Sequence, residues 1–389
     1  MYHIIYIFIF LILSPILKIK AIRKGYDFSF KERFVLYKDS LENCIWIHCA
    51  SVGELNTAKP VFKFLKEKGF NVVITVSSPR GKKYAQKTYP DAVIRELPFD
   101  FVFSVRRFLR VYKPKALIIL EEELWYNLVR ITSLEIPVFL FNGRISQKSF
   151  GFYKFFKRFY KKILQSFKLI ACRSKEDEER FKYICSKCNT ILCGDLKYIS
   201  SLDEKDIQIN FPKKNLIVAG STYKKEEEIL LKALKNLPDY ILVLAPRHIE
   251  RIKETKKLIE NFKHKYELFS ETKNVDKNTK VYLIDTLGVL SSTYKYANIA
   301  FIGGTIEDIG GHNPLEALLK GIPIIVGKNH YKIKSVLEDF KEFVYIIEDE
   351  NDILKSIKKI EKKEFSFNIK EKVERIKNCY ENILKKYLL

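Results

Sequence analysis

The sequence has no uncharged apolar run long enough to cross a bilayer unaided. Its N-terminal run, residues 4–17, would make about 21 Å of helix against a hydrocarbon core of about 30 Å. It has no small-x-small cleavage site after that run, and the basic residues follow the run instead of preceding it. Both features argue against a cleaved signal peptide. No tract gathers the basic residues, which are spread through almost every amphipathic segment, and this argues against a dedicated nucleic-acid arm. The seven cysteines (Cys44, Cys49, Cys172, Cys185, Cys188, Cys193 and Cys379) are odd in number and irregularly spaced. Cys185-Ser186-Lys187-Cys188 is a lone CxxC with no second pair and no His nearby, which argues against zinc. Several of the cysteines sit inside apolar runs, so they read as reduced, buried thiols of a cytoplasmic protein.

What is present is a basic, core-forming chain. Its 389 residues suit two domains, and 47% apolar content is ample for packed cores. Seventy Lys and Arg against 47 Asp and Glu leave a net charge of +23, a field that favours nucleic acid, an anionic membrane surface or a phosphorylated substrate. Lys18, Lys20, Arg23 and Lys24 follow the N-terminal run. Snorkelling would lengthen the span, and the charges place the rest of the chain on the cytoplasmic side. Residues 1–24 are therefore expected to be an uncleaved membrane anchor, either spanning or lying in the interface.

Beyond the anchor, strand-like and helix-like runs alternate. Strands are expected at 45–49, 72–77, 116–120, 138–141 and 169–173, with helices at 54–68, 124–132, 150–166 and 177–184. The pattern lapses into a polar stretch near 197–213 and restarts at Leu216. Strands then follow at 240–245, 281–284, 299–302 and 324–326, with helices at 225–235, 250–262, 287–296, 314–320 and at the end. Such alternation predicts an α/β protein of two doubly wound, Rossmann-like domains facing a cleft, with ligand at the carboxyl ends of strands. The expected divisions are anchor 1–24, first domain 25–197, linker 198–213, second domain 214–370 and a C-terminal helix over 371–389.

Each candidate site falls just after a strand. Gly303-Gly304-Thr305 and Gly310-Gly311-His312-Asn313-Pro314-Leu315-Glu316 combine glycines, which allow close approach, with a helix start whose N–H groups suit an anion. Pro314 fits the first turn of that helix, and Glu316 could accept from a sugar diol. Ser221 and Thr222 offer hydroxyls for phosphate oxygens, and Arg247, beside His248, offers a guanidinium fork. Three anion-friendly strand ends in one half point to a nucleotide. In the first half, Ala50-Ser51-Val52-Gly53-Glu54 opens a helix. Glu54 is either a carboxylate complementing the helix dipole or a general base. Glu121-Glu122-Glu123 repel one another, so at least one should face cations or the cleft. Asn142-Gly143-Arg144 with Lys148 forms a basic rim, suited to an acidic acceptor or to plain solvation.

In this order, Ala50-Ser51-Val52-Gly53-Glu54, Glu121-x-Glu123-Leu124-Trp125, Asn142-Gly143-Arg144, Gly194-Asp195-Leu196-Lys197, Ala219-Gly220-Ser221-Thr222, Pro246-Arg247-His248 and the 303–316 segment resemble the Kdo (3-deoxy-D-manno-octulosonic acid) transferases of lipopolysaccharide synthesis. The resemblance implies a GT-B glycosyltransferase working on the cytoplasmic face of the inner membrane. It would take CMP-Kdo as donor and a lipid A precursor as acceptor, on an anionic membrane surface, with no metal or other cofactor and no nucleic acid partner. By position, Glu54 would be the general base and Glu121 the second important acid. Ser221, Thr222, Arg247, His248, Gly303, Gly304, Gly311, Asn313, Glu316 and Lys197 would serve the donor. Ser51, Gly53, Arg144 and Lys148 would serve the acceptor. Two other readings stand beside it: a membrane-associated GT-B enzyme using a UDP-sugar, and a basic, membrane-tethered nucleic-acid-binding protein.

Overall fold

A computed structural model describes residues 2–23, 29–201, 207–365 and 369–389. The chain divides into two compact units. The first comprises residues 1–200 with 372–389, and the second 201–371. Part of the expected linker, residues 202–206, lies outside the described residues, as do the two ends of the expected anchor, Met1 and Lys24.

The first unit is built on seven strands: β1 (Cys44–Cys49), β2 (Asn71–Val76), β3 (Val93–Glu96), β4 (Leu117–Leu120), β5 (Val138–Gly143), β6 (Leu169–Cys172) and β7 (Thr190–Leu192). They pair in the order β3-β2-β1-β4-β5-β6-β7, every pair parallel. The second unit repeats the plan with β8 (Asn215–Thr222), β9 (Tyr240–Pro246), β10 (Tyr266–Leu268), β11 (Val281–Leu283), β12 (Ile299–Ile302), β13 (Ile324–Gly327) and β14 (Val344–Ile347). Their order is β10-β11-β9-β8-β12-β13-β14, again parallel throughout. Central strands such as β1, β4, β5 and β9 are buried along their whole length, because helices cover both faces of a parallel sheet. This is why they read as unbroken apolar runs. Two parallel α/β units of this kind are the architecture that the alternation predicts.

The chain's first strand stands mid-sheet in each unit, and the order changes direction beside it, between β1 and β4 in the first unit and between β8 and β12 in the second, where β11 is also interposed between β9 and β10. At such a switch point the crossovers leave to opposite faces and open a crevice at the carboxyl ends of the strands. Residues 50–54 leave β1 and Glu121 leaves β4. Ser221 and Thr222 close β8, while Gly303 and Gly304 leave β12. The motifs thus occupy both switch points.

The N-terminal segment is a helix, Tyr2–Arg23. It packs on the first unit through Phe10, whose ring meets Phe99 at 4.7 Å and Phe101 at 5.1 Å. Its opposite side exposes Ile7, Leu11, Ile12, Ile16, Ile19 and Ile22 by 46–63%. No helix among the described residues is long and apolar enough to cross a membrane.

Four of the seven cysteines are bridged, Cys185 to Cys188 and Cys193 to Cys379. The reading of the cysteines as reduced, buried thiols is corrected for these four and holds for Cys44, Cys49 and Cys172, which are free and buried. The bridge partner of Cys193 lies on the last helix, Ile369–Leu388.

Candidate active site

In the first unit, Glu54 stands three residues after Ser51, which caps the helix Val52–Glu67. The Ser51 hydroxyl accepts the Glu54 amide at 3.2 Å. In return, the Glu54 carboxylate accepts from Ser51 Oγ at 2.9 Å and from the Ala50 amide at 2.7 Å. This departs from a capping box, because the Glu54 carboxylate reaches the Ser51 hydroxyl and the amide one residue before the cap, and not the amide of the cap itself. Capping alone does not account for the carboxyl's setting. Glu54 is 8% exposed, and burial pushes its pKa from the ordinary 4.5 up to about 7, with the charges of Glu121 and Glu123 acting in the same direction against the bonds from Ala50 and Ser51. The group is thus poised to exchange a proton near neutral pH.

The three adjacent acids take three directions. Glu121 sits at φ +60°, a left-handed conformation that is unfavourable for a residue with a side chain. Its two oxygens meet Arg144 Nε at 3.3 Å and Lys197 Nζ at 3.4 Å. Glu122 lies against Tyr153, and burial and then this charge push the Tyr153 hydroxyl upward. Glu123 accepts from Trp125 Nε1 at 2.6 Å and lies 3.8 Å from the buried Nε2 of His48. Burial would raise the Glu123 carboxyl, but His48 and Trp125 hold it below its ordinary value. Glu121, rather than Glu122, is therefore the acid that gathers cations from two other motifs. Asn142, at φ +54°, lies near the end of β5, just before Arg144. Lys148 and Ser51 are exposed, as is Gly53.

In the second unit the glycine-rich segment is built differently from the sequence expectation. The amides of Gly304, Thr305 and Ile306 do not await a phosphate. They donate to Glu226 at 3.0, 2.9 and 3.0 Å, and the Tyr223 amide adds a fourth bond at 3.0 Å. Glu226 is fully buried and acts as an internal anion for this loop. Gly303 and Gly304 serve shape instead. A Cβ on Gly303 would stand 2.1 Å from the Ser221 carbonyl, and Gly304 takes φ +72°. The Gly311 amide donates to the Gly304 carbonyl at 2.7 Å and that of His312 to the Gly303 carbonyl at 3.1 Å, so the second half of the segment folds back on the first. The expected helix over 314–320 shrinks to one turn, Leu315–Leu318, with Pro314 as its cap and not its first residue. A single turn sums few peptide dipoles, so the dipole argument weakens there. Asn313 is exposed and accepts from the Leu315 amide at 3.2 Å, and Glu316 is half-buried.

Thr222 is also turned inward. Its hydroxyl donates to Glu227 at 3.2 Å, and Glu227 receives both terminal nitrogens of Arg251 at 3.1 and 3.0 Å. Ser221, at φ +57°, stays half-exposed at the switch point. Arg247 and His248 are exposed just after β9, and Arg247 forms no ion pair among the described residues. His312 is near them. Its Nε2 shares a hydrogen bond with Tyr223 Oη at 3.2 Å, and the two rings stack with centroids 5.8 Å apart. Burial, then the charges of Arg247, Lys332 and His248, lower the His312 pKa to about 4. The imidazole is thus held neutral beside the exposed Arg247 guanidinium.

Sequence reasoning missed Glu226, Tyr223 and His312 as builders of this wall. A carboxylate at the third position of a helix is the one available signal, and a Tyr cap in place of Ser or Thr conceals it.

Comparison with known proteins follows the same division. Residues 29–200 match the family model for 3-deoxy-D-manno-octulosonic-acid transferase (kdotransferase), and residues 200–382 match that for glycosyl transferases group 1. Over 367 residues the chain is 35% identical to the 3-deoxy-D-manno-octulosonic acid transferase of Aquifex aeolicus, covering 90% of this chain and 96% of that one. Over 322 residues it is 32% identical to the enzyme of the same name from Haemophilus influenzae, covering 78% and 75%. A UDP-N-acetylglucosamine 2-epimerase structure from Listeria monocytogenes shares the fold, with a TM-score of 0.57 at 10% identity over 86% of this chain and 90% of that one.

Proposed function

The chain belongs to the 3-deoxy-D-manno-octulosonic acid transferase family of glycosyltransferases, and from that premise we propose the reaction it performs. It moves Kdo from CMP-Kdo to the primary hydroxyl of a lipid A precursor, a tetra-acylated disaccharide bisphosphate, by a single inverting displacement.

The observation that carries this reading is the buried Glu54 carboxyl, poised at about 7 beside the charge of Glu121. An alcohol attacks an anomeric carbon only as its proton leaves, and a carboxylate of this basicity takes that proton near neutral pH. As the new C–O bond forms, the bond from the anomeric carbon to the CMP phosphate breaks, and the phosphate departs with the electron pair. Arg247, exposed and unpaired among the described residues, receives that charge, with Ser221 and His248 nearby in the sequence motifs. Glu121, locked between Arg144 and Lys197, orders the acceptor side, and those two cations with Lys148 suit a bisphosphorylated substrate. No metal or cofactor enters the scheme, and neither does nucleic acid. The exposed isoleucine and leucine face of the Tyr2–Arg23 helix and the net charge of +23 support residence on the anionic, cytoplasmic face of the inner membrane.

The test is incubation with CMP-Kdo and the lipid A precursor, followed by mass spectrometry of the product. The expected outcome is an acceptor heavier by Kdo, released CMP, and loss of transfer by orders of magnitude in Glu54→Gln. Stabilisation of the protein by UDP and UDP-sugars but not by CMP would overturn the donor assignment.

A further inference from the structure

The last helix, Ile369–Leu388, returns to the first unit and touches two of the site loops through neighbouring residues. Tyr380 is 2% exposed, its ring edge-on to Phe141 at 5.1 Å. Its hydroxyl accepts the Asn142 amide at 3.2 Å and donates to the Gly194 carbonyl at 2.9 Å. Asn142 closes the triangle, its side-chain oxygen accepting the Leu196 amide at 2.9 Å. Immediately before Tyr380, Cys379 is bridged to Cys193. One turn earlier, Ile376 packs so closely on Gly194 that a Cβ there would stand 2.7 Å from its Cγ1. The loop geometry leaves no slack, since Asn142 and Gly194 both hold left-handed backbones, φ +54° and +99°.

Two residues beyond Asn142 is Arg144, and three beyond Gly194 is Lys197. These are the two cations that grip opposite oxygens of Glu121, at 3.3 and 3.4 Å. The Tyr380 hydroxyl therefore joins the Asn142–Leu196 bond and the Cys193–Cys379 bridge in tying together the two loops whose cations meet on a single carboxylate. We infer that Tyr380 is a positioning residue of the transfer site, holding Arg144 and Lys197 in register on Glu121 from a helix outside every motif. The inference rests on the reading of Glu54 as base and of the Glu121 cluster as acceptor side.

The test compares the full-length wild type with Tyr380→Phe, which keeps the ring and removes only the hydroxyl. Leu384→Ala is the structural control, since it hollows the same helix at a buried position that takes no part in the loop hydrogen bonds. With the cations less well placed, the Glu121 charge is less compensated and raises the neighbouring Glu54 further. Tyr380→Phe should then show about a tenfold loss of kcat/KM at pH 7, short of the roughly hundredfold that a 1 Å misplacement brings. The acceptor KM should rise, the donor KM should hold, and the acid limb of the pH profile should move to higher pH. Leu384→Ala should lower the melting temperature and leave that limb in place. An unmoved limb in Tyr380→Phe, or an equal move in Leu384→Ala, overturns the inference. A wild type with no acid limb near pH 7 instead overturns the reading of Glu54 on which it rests.

Discussion

Replacing Glu54 by Gln should stabilise the protein while disabling it. A buried carboxyl whose pKa rises from the ordinary 4.5 to about 7 on folding binds its proton more tightly in the native state than in the unfolded chain. Its contribution therefore opposes folding once the unfolded group ionises: absent below about pH 4.5, it grows between 4.5 and 7 and is complete above 7. At about 1.4 kcal/mol per pH unit, the full cost is about 3 kcal/mol. Gln removes that cost but turns an N–H donor toward either the Ala50 amide or Ser51 Oγ, which now donate to the carboxylate at 2.7 and 2.9 Å. Losing one such bond takes back about 1 kcal/mol. About 2 kcal/mol remains, a rise of roughly 4–8 °C for a unit of this size at pH 8. Thermal melts of both proteins from pH 5 to 8.5, at fixed ionic strength and followed by circular dichroism of the first-unit transition, make the measurement. The variant's advantage should shrink as pH falls, vanish near about pH 5 and give way to a small disadvantage below it. A variant no more stable than wild type at pH 8, or a gap that does not change with pH, refutes the argument from burial.

Three other outcomes follow from the second unit and the N-terminal helix. Glu226→Ala would leave four amides without their acceptor, at about 1 kcal/mol or more each, so the second-unit melting transition should fall sharply while the first-unit transition holds in calorimetry. Arg247→Ala should raise the donor KM at least tenfold and leave the melting temperature unchanged, because the exposed guanidinium makes no ion pair among the described residues; an unchanged KM would remove it from phosphate binding. Leu11→Asp together with Ile16→Asp should abolish sedimentation with anionic vesicles, since both side chains lie on the exposed apolar face of the Tyr2–Arg23 helix.

The strands were legible wherever helices cover both faces, because burial then demands an unbroken apolar run, as in Leu117–Leu120 and Tyr240–Pro246. Edge strands escaped notice: Thr190–Leu192 and Tyr266–Leu268 are three residues each and only partly buried, so no run announces them. The site motifs were visible because a doubly wound sheet puts chemistry at strand ends, and Glu54, Glu121, Ser221 and Gly303 all fall there. What decides the glycine-rich wall was not visible, since Glu226 meets amides 78 to 80 residues away. Its place at the third position of a helix is the one local mark that separates it from the solvated acids beside it, and that mark does not tell which amides it meets. The cysteine pairing was hidden for the same reason, Cys193 and Cys379 being 186 residues apart.

That long-range bridge changes the connectivity of the chain. The backbone leaves the first unit after Ser200 and re-enters it at Lys372, and the Cys193–Cys379 bond ties the two crossing segments together just outside the second unit. The second unit is thus a covalently closed ring hung from the first. A single proteolytic cut anywhere inside that ring yields no free fragment: the nicked protein keeps its mass on a non-reducing gel and separates into two pieces only after the thiols are restored.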